Sequence, residues 1–258
     1  MVNNNFVEQF RSNGWDFPEH EWDKLSVYEK SFINLELGNK RSLDTYKNRL
    51  KAIQFMNMDN VLDAACGVGQ WSIALSDLNQ KVFGIDLMSD RINTAKIFSD
   101  TMKKRNISFN QSPLERIPFE NNFFDGCFCY GAFMFTQTNK TIKELYRVLK
   151  PGGKLYVNAN DIGWYLYLLF DRGIKKRNFS IIKQSIKFFI RTFLGYDQNV
   201  IFFKKRFISC VENNGFKIIQ SGKEGNINLT NSNNTFPFYD ESYFGLPNIN
   251  ELLIEKII

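Results

Sequence analysis

The stretch that decides the fold is Val61-Leu62-Asp63-Ala64-Ala65-Cys66-Gly67-Val68-Gly69. An apolar run enters a glycine-rich turn, and a helical pattern begins shortly afterwards at Trp71. Glycine lets the backbone of such a turn approach a ligand closely, and the free N–H groups at the start of the helix can bind it. Asp63 stands at the carboxyl end of the strand, where open α/β sheets bind their ligands. The stretch therefore predicts a ligand site at a strand–turn–helix junction.

On either side of this stretch, apolar runs alternate with helical patterns. We predict strands at 61–65, 82–86, 107–110, 124–130, 154–159 and 215–220, and helices at 42–55, 71–78, 89–104, 138–149 and 207–213. Ser89 is the expected N-cap of its helix, and Pro151-Gly152-Gly153 is the expected stop signal after residues 138–149. Residues 236–258 predict one more strand and a short terminal helix. This alternation indicates the α/β class with a doubly wound, mostly parallel sheet.

The pattern changes along the chain and divides it into four segments. Residues 1–41 form an N-terminal helical cap, and residues 42–160 form the ligand-binding core. Residues 161–206 contain no clear strand and are basic, so they are expected to form a helical lid inserted after the fifth strand. Residues 207–258 return to the core and complete it.

The composition is that of an ordinary globular protein, with 43% hydrophobic and 23% charged residues among 258. These proportions exclude a mostly disordered chain, a collagen-like chain and a disulfide mini-scaffold. The longest purely apolar or aromatic run, Trp164–Phe170, has seven residues, whereas a membrane span needs about 20. Because the N-terminus also lacks the pattern of a secretory signal, we expect a cytoplasmic protein. A single histidine, His20, and four scattered cysteines predict no metal site.

The positive charge is concentrated in one segment. Between Arg172 and Arg206 there are ten basic residues and one acid, so this segment carries +9 and the remainder −3 of the net +6. At helical spacing, Lys183, Lys187 and Arg191 share one face, and apolar residues are expected on the other: Phe179, Ile182, Ile186, Phe189, Ile190 and Phe193. A positive charge confined to one segment favours an anionic partner that binds at that segment. It argues against a protein that binds nucleic acid over a broad surface.

Two classes of ligand fit a glycine turn of this kind. A dinucleotide site would show Gly-x-Gly-x-x-Gly, but Gly67-Val68-Gly69-Gln70-Trp71-Ser72 has serine in place of the third glycine. S-adenosylmethionine (SAM) has no pyrophosphate and needs fewer close-approach glycines. The ammonium and sulfonium of SAM are cationic, which suits Asp63. Asp86, at the end of the second strand, can accept hydrogen bonds from both ribose hydroxyls of a nucleoside.

Five motifs in order resemble the small-molecule type of class I SAM-dependent methyltransferase. They are Asp63–Gly69, Phe83–Ser89, Leu114–Phe119 with Phe123–Asp125, Glu144–Gly153 and Asn214–Phe216. The resemblance covers roughly residues 50–160 and 205–222. It implies a Rossmann-like sheet of seven strands, SAM as the cofactor and S-adenosylhomocysteine as the product.

The resemblance also implies the residues that bind SAM. Those implied are Asp63, Ala65, Cys66, Gly67, Gly69, Asp86, Leu87, Met88, Pro113, Leu114, Glu115 and Tyr130. The glycine turn would hold the methionine end, Asp86 the ribose, and Leu87 and Leu114 the two faces of adenine. The chain departs from the family at Ala65, where glycine is common, and at Pro113, where an acid is common. The contact to the adenine amino group would then fall to the backbone or to Glu115.

A base is needed only if the methyl acceptor is protonated, and the sequence offers four candidates: Tyr130, which would face the methyl group, His20, Tyr28 and Asp161. The lid segment is the family's usual place for substrate contacts. Its candidates are Asn160, Trp164, Tyr165, Lys183, Lys187 and Arg191. Whether the N-terminal aromatics Trp15, Phe17, Trp22 and Tyr28 close over the site stays open.

The +9 segment leaves several hypotheses for the acceptor and partners. The first is a small anionic polar metabolite, such as a phosphorylated or carboxylated amine, alcohol or sugar, held by the basic residues. The second is a lipid or quinone acceptor, reached when the basic helix lies on an anionic membrane surface. A solvated basic face with no ligand is the plain alternative. A SAM-binding protein without catalytic activity is a further class.

Overall fold

The computed structural model describes residues 4–38, 41–230 and 237–257. The chain divides into two units: the first is Met1–Pro113 with Leu229–Thr235, and the second is Leu114–Asn228 with Phe236–Ile258. Parts of the predicted cap (residues 1–3 and 39–40) and of the C-terminal completion (231–236 and 258) lie outside the described residues. The division into four segments stays a prediction.

The first unit begins with helices and continues as alternating strands and helices. Its elements are α1 (Asn4–Ser12), α2 (Glu19–Trp22), α3 (Val27–Phe32), a π-helical turn (Ile33–Gly38), α4 (Leu43–Ala52), β1 (Asn60–Ala64), α5 (Gln70–Ser76), β2 (Lys81–Asp86), α6 (Ser89–Thr101) and β3 (Ile107–Gln111). The strands are parallel in the order β3-β2-β1, with Asp63 opposite Gly84 and Asp86 opposite Gln111. The acidic ends of β1 and β2 therefore lie at one edge of the sheet.

The aromatic residues of the N-terminal helices belong to the core of the first unit. Trp15, Phe17 and Trp22 are buried, and Trp15 packs on Phe98 of α6 with ring centroids 5.6 Å apart. Burial of such large apolar surfaces fastens the cap to α6. Only Tyr28 of the four aromatics is exposed, so the other three are not available to line a ligand site.

The second unit combines parallel and antiparallel strands. Its elements are β4 (Phe124–Cys129), a 3₁₀ turn (Phe133–Phe135), α7 (Thr138–Val148), β5 (Leu149–Asn160), α8 (Ile162–Tyr167), a π-helical turn (Leu168–Ile174), α9 (Phe179–Phe193), α10 (Lys204–Glu212), β6 (Phe216–Lys223), β7 (Ser242–Tyr243), β8 (Leu246–Pro247) and β9 (Ile249–Lys256). The order in the main sheet is β4-β5-β9-β6, with β4 and β5 parallel and β9 antiparallel to both neighbours. Counted over both units, the sheet has seven mostly parallel strands, which confirms the predicted fold class.

Three local predictions were wrong. The expected terminal helix is instead part of β9, because Ile249–Lys256 is almost wholly buried and bonds along both edges to β5 and β6. Ser89 is not an N-cap; Met88 holds that position, and the Asp86 carboxylate accepts its N–H at 2.9 Å. Pro151-Gly152-Gly153 does not stop α7, which ends at Val148, but lies inside β5.

In the described part of the chain, no helix combines the length and the apolar character needed to cross a bilayer.

Candidate active site

The glycine turn after β1 uses left-handed backbone at three positions. The φ angles are 65° at Ala65, 56° at Gly67 and 87° at Gly69, which is also the N-cap residue of α5. A Cβ on Gly69 would lie 3.0 Å from the Cβ of Ala95, so glycine is required there for close packing on α6. A Cβ on Gly67 would meet no atom within 4 Å, so the turn has an open side at this residue.

The Asp86 carboxylate ties the end of β2 to this turn. Its two oxygens accept the N–H groups of Gly67 at 3.0 Å and of Met88 at 2.9 Å. The guanidinium of Arg91 lies 3.9 Å from the same carboxylate. A carboxylate has about four acceptor positions, so each oxygen can still accept a ligand hydroxyl. The structure therefore brings Gly67 and Asp86 together.

Asp63 is a buried carboxyl held by Ser72. The Ser72 hydroxyl donates to it at 2.5 Å. Burial, with the charge of Asp86 in addition, raises the pKa of Asp63 to about 7, although the hydrogen bond from Ser72 opposes the rise. Ser72 thus fills the place of the third dinucleotide glycine with a side chain that holds Asp63. A cation near Asp63 would stabilise its ionised form.

These observations fit SAM better than a dinucleotide. The open side of Gly67 leaves room for a ligand against the turn, and the buried Asp63 suits an ammonium. Asp86 retains acceptor positions for two hydroxyls. Leu87 and Met88 are exposed directly after it, as a flat ring would require. Cys66 is buried, and burial raises the pKa of its thiol. Its predicted contact with SAM would therefore involve its backbone rather than a thiolate.

Among the remaining predicted SAM residues, Pro113 is exposed in the first unit, and Leu114 is buried in the second. Glu115 is engaged within the second unit, where one carboxylate oxygen accepts the N–H of Gln137 at 2.7 Å. Only its other oxygen is left for the adenine contact that the resemblance implied, which stays a prediction.

Tyr130 lies directly after β4 and is hydrogen-bonded to a buried carboxylate of the second unit. Its hydroxyl donates to Glu224 at 2.8 Å, and the other oxygen of Glu224 accepts the N–H of Phe238 at 2.7 Å. Glu224 is 3% exposed. The Tyr130 ring stacks with those of Phe128 and Tyr156 at interplanar angles of 5° and 6°. No sequence pattern indicates Glu224, since it is 94 residues from Tyr130 and follows β6 without any motif.

The end of β5 supplies further polar groups. The Asn158 side-chain oxygen accepts the N–H of Gly131 at 2.6 Å, while its buried amide nitrogen has no hydrogen-bond partner among the described residues. Asp161 caps α8 by accepting the N–H of Ile162 at 2.6 Å. The Trp164 ring meets Tyr239 edge-on at 5.3 Å. This leaves Asn158 as a buried donor available for an acceptor oxygen.

The predicted substrate residues of the lid are not equivalent. Lys183 and Lys187 are exposed on α9, as expected. Arg191 is instead tied to its own loop, because its Nε donates to the carbonyl of Gln198 at 2.7 Å and its guanidinium lies 4.1 Å from the Tyr196 ring centroid. Tyr165 is buried against Phe188, and burial raises the pKa of its phenol. Asn160 is also buried at the end of β5.

The apolar residues of α9 share one face, as their spacing indicates, but most of this face is exposed. Four of its six members are exposed, namely Phe179, Ile186, Ile190 and Phe193. The residues of α9 that are buried are Ser185 and Phe188. Helical spacing correctly groups residues on one face, but it does not tell which face packs inward.

The remaining base candidates lie in the first unit. The His20 side chain is exposed, with Nε2 3.3 Å from the Glu21 carboxylate. Tyr28 is exposed under Arg91, whose guanidinium lies 5.1 Å from its ring centroid. Arg91 thus lies between Tyr28 and the carboxylate of Asp86. This contact favours a position for Tyr28 beside the predicted ribose site rather than a role as base.

A basic cleft of about 660 Å³ lies between the segment that precedes α9 and the first turn of that helix. It is lined by Tyr167, Asp171, Arg172, Lys175, Lys176, Asn178 and Ile181. Lys175 pairs with Asp171, which leaves Arg172 and Lys176 as the positive charges with no ion-pair partner among the described residues. The sequence shows these bases as part of a basic segment, but their arrangement around a cleft is visible only in the structure.

Comparison with known proteins agrees with this geometry. Residues 62–157 match the family model described as "Methyltransferase domain". A demethylmenaquinone methyltransferase of Oceanobacillus iheyensis is 31% identical over 144 residues, covering 50% of this chain and 57% of that protein. One from Lactococcus lactis is 35% identical over 100 residues, covering 37% of this chain and 40% of that protein. The chain thus spans little more than half the length of the first of these curated relatives and less than half that of the second.

Solved structures show the same fold at low sequence identity. The PH0226 protein of Pyrococcus horikoshii has a TM-score of 0.60 and 19% identity, covering 90% of this chain and 99% of that one. The [4+2]-cyclase SpnF has a TM-score of 0.59 and 14% identity, covering 86% and 83%. Since one of these proteins is described as a cyclase, the fold alone does not decide the reaction.

Proposed function

We propose that this chain, whose residues 62–157 match a methyltransferase domain, is a class I SAM-dependent enzyme that transfers a methyl group to a lipid-soluble ring of the quinol kind. When bound, SAM supplies a methyl group already activated on a sulfonium. The chain has then to hold the cofactor, position the acceptor and remove a proton from its hydroxyl.

The residues of the first unit would hold SAM. Asp63 would take the ammonium, and the turn at Gly67 would accommodate the methionine end. Asp86, already oriented by two backbone N–H groups, would accept the ribose hydroxyls. Because these hydrogen bonds exist without a ligand, the carboxylate is pre-organised and loses little freedom on binding.

The observation that carries the acceptor proposal is the Tyr130–Glu224 pair inside an aromatic stack. Stacked rings favour a planar acceptor, and the free amide of Asn158 can donate to an oxygen on it. Several relatives carry the name demethylmenaquinone methyltransferase, which supports the same class of acceptor.

The pair also supplies a route for the proton. The Tyr130 oxygen would accept the proton of the acceptor hydroxyl as its own proton passes to Glu224 along the existing 2.8 Å hydrogen bond. The ring carbon beside the deprotonated oxygen then attacks the methyl carbon, so that the bond from methyl to acceptor forms as the bond from methyl to sulfur breaks. Loss of the proton on that ring carbon to solvent restores the aromatic ring. Glu224 would be the positioning residue and Tyr130 the residue in contact with substrate.

A second candidate is the methylation of a small anionic metabolite. The basic cleft before α9 favours it, because Arg172 and Lys176 could bind a phosphate or carboxylate there. Its acceptor would be polar, and removal of these charges would raise the KM for that acceptor alone.

The deciding experiment measures S-adenosylhomocysteine formation with two sets of acceptors. One set contains reduced demethylmenaquinone with a shortened side chain and related ring hydroxyls. The other pairs phosphorylated or carboxylated amines and alcohols with their neutral parents. We expect turnover with the ring hydroxyls. Turnover restricted to anionic members would overturn the quinol proposal in favour of the second candidate, and SAM binding without any turnover would indicate a non-catalytic protein.

A further inference from the structure

The outward face of α9 carries an apolar stripe. Phe179 is 80% exposed, Ile186 45%, Ile190 52% and Phe193 76%. Their spacing of seven, four and three residues places them along one side of a helix with 3.6 residues per turn. A contiguous exposed stripe of this kind marks a binding surface.

Positive charge surrounds this stripe. Lys183 and Lys187 are exposed along one side of it, and α9 itself contains no acidic residue. The turn that precedes the helix adds four exposed bases: Arg172, Lys175, Lys176 and Arg177. The face therefore combines apolar side chains with a positive charge that suits an anionic partner.

The inner side of α9 is fixed to the second unit. The Phe188 ring stacks on Tyr165 at 4.5 Å and meets Phe135 edge-on at 5.8 Å. The Thr192 hydroxyl accepts the N–H of Ile201 at 2.8 Å, and Arg191 donates to Gln198. These contacts hold the helix with its apolar stripe outward, so the exposure of the stripe is a feature of the packed fold.

We infer that this face of α9 docks on an anionic lipid surface. A helix of this composition lies in the plane of a bilayer interface, with its apolar side chains among the acyl chains and its bases at the headgroups. Lys183 and Lys187 can extend to the phosphates while their aliphatic stems cover apolar surface. Lysine is depleted at the core of protein–protein interfaces, so the mixture favours lipid over a protein partner. This inference rests on the proposed function, because docking on a membrane would bring the enzyme to a lipid-soluble acceptor that resides there.

The test is co-flotation of the full chain with vesicles of phosphatidylcholine alone or with about one-third phosphatidylglycerol. We expect binding only to the anionic vesicles, weakening as salt is raised because exposed charges are screened. Lys183→Gln combined with Lys187→Gln should weaken partitioning about 30-fold, since each base near an anionic surface contributes about a fivefold factor. Lys140→Gln with Lys143→Gln is the matched control, because both lysines are exposed on α7.

The apolar part is tested by Ile190→Ser combined with Phe193→Ser. Both side chains are exposed, so the melting temperature should not fall, whereas vesicle binding should drop by at least about tenfold. The matched control is Ile219→Ser, which removes an exposed apolar side chain from β6. Absence of binding to anionic vesicles, or equal losses in the lysine variants and their control, would overturn the inference. So would a concentration-dependent dimer that the serine variants abolish.

The two proposals fail in different ways. Vesicle binding requires no turnover, so binding without methylation of any ring hydroxyl would contradict the proposed function and leave the docking surface standing. Turnover of a short-chain soluble acceptor without vesicle binding would do the reverse. If both hold, the lysine variants should lose activity on an acceptor embedded in vesicles and keep it on the soluble one.

Discussion

The two units contain buried carboxylates that are held in different ways. In the first unit, Asp86 accepts backbone N–H groups from Gly67 and Met88, which are 19 and two residues away in sequence. In the second, Glu224 accepts a phenol from Tyr130, 94 residues away, and Glu251 accepts the phenol of Tyr156, 95 residues away. Asp86 is thus held by the turns that follow two neighbouring strands, whereas Glu224 and Glu251 accept side chains from distant parts of the chain.

These two arrangements depend on the rest of the chain to different degrees. A carboxylate held by the backbone of the turns after two adjacent strands needs few other parts of the chain for its geometry, which suits a cofactor site. A carboxylate held by distant side chains changes when the loop or strand that carries it changes. Acceptor specificity belongs to the second kind of region, because binding residues are disproportionately found on loops.

The largest effect is expected at Tyr130. Removing its hydroxyl in Tyr130→Phe should lower kcat about 10³-fold, because proton transfer to a positioned group contributes 10²–10⁴-fold. The KM for SAM should stay unchanged. Steady-state kinetics with a ring-hydroxyl acceptor measures both. The control is Tyr156→Phe, which removes an equivalent phenol–carboxylate bond and should cost stability with little loss of kcat. Equal losses of kcat in the two variants would show that the pair is structural.

The role of Glu224 is tested by replacing its carboxylate with an amide. Its two oxygens accept the Tyr130 hydroxyl and the Phe238 N–H separately, so Glu224→Gln keeps only one of these two acceptors and cannot take up a proton. We therefore expect kcat to fall with little change in the KM for SAM, whereas Glu251→Gln, which disrupts the corresponding bond to Tyr156, should leave kcat nearly unchanged. An unchanged kcat in Glu224→Gln would remove this residue from the proton route.

The next effect is on SAM affinity at Asp86. Asp86→Asn keeps one carbonyl oxygen but loses the second acceptor and the charge, so we expect binding about 100-fold weaker, or about 2.7 kcal/mol. Isothermal titration calorimetry with SAM measures it. Asp90→Asn makes the same change at an exposed acid in the first turn of α6 and should bind normally. Similar affinity in the two variants would contradict the assignment of the ribose contact.

Asp63 should make SAM binding depend on pH. Its pKa is raised from 3.8 to about 7, so the cofactor-free protein binds more protons than the unfolded chain between these values, and its free energy of unfolding falls as pH rises from 4 to 7. An ammonium requires the ionised form, so SAM affinity should fall about tenfold for each pH unit below 7. Titrations from pH 5 to 8 test this. Asp63→Asn should flatten the slope, and a slope that survives in it would point to another group.

The smallest effect is expected at Ala65, whose φ of 65° is left-handed. Ala65→Gly should raise the free energy of unfolding by about 1 kcal/mol, because glycine adopts this backbone without the steric cost of a Cβ. Thermal melting detects such a change. The control is Asn57→Gly, at a φ of 60°. Its free energy of unfolding should rise less, because asparagine tolerates left-handed backbone better than alanine does. A gain at Asn57 as large as that at Ala65 would show that alanine carries no greater steric cost than asparagine at this backbone conformation.

Some parts of the candidate site could be predicted from the sequence and others could not. Asp63, Gly67, Gly69 and Asp86 lie in short motifs whose strand–turn–helix geometry is local, and the structure brings Gly67 and Asp86 into contact. Glu224 has no motif around it and acquires its role only through contact with Tyr130. The spacing of α9 grouped its apolar residues correctly, but tertiary packing on Tyr165 turned most of them outward.

The sequence pattern alone predicts the α/β class, the glycine turn and the two acidic strand ends, because backbone preferences and short connections act over a few residues. Tertiary packing places the last strand between β5 and β6, brings Glu224 to Tyr130 and exposes one face of α9. Those outcomes depend on which distant surfaces bury each other, and burial is a property of the whole fold rather than of any one segment.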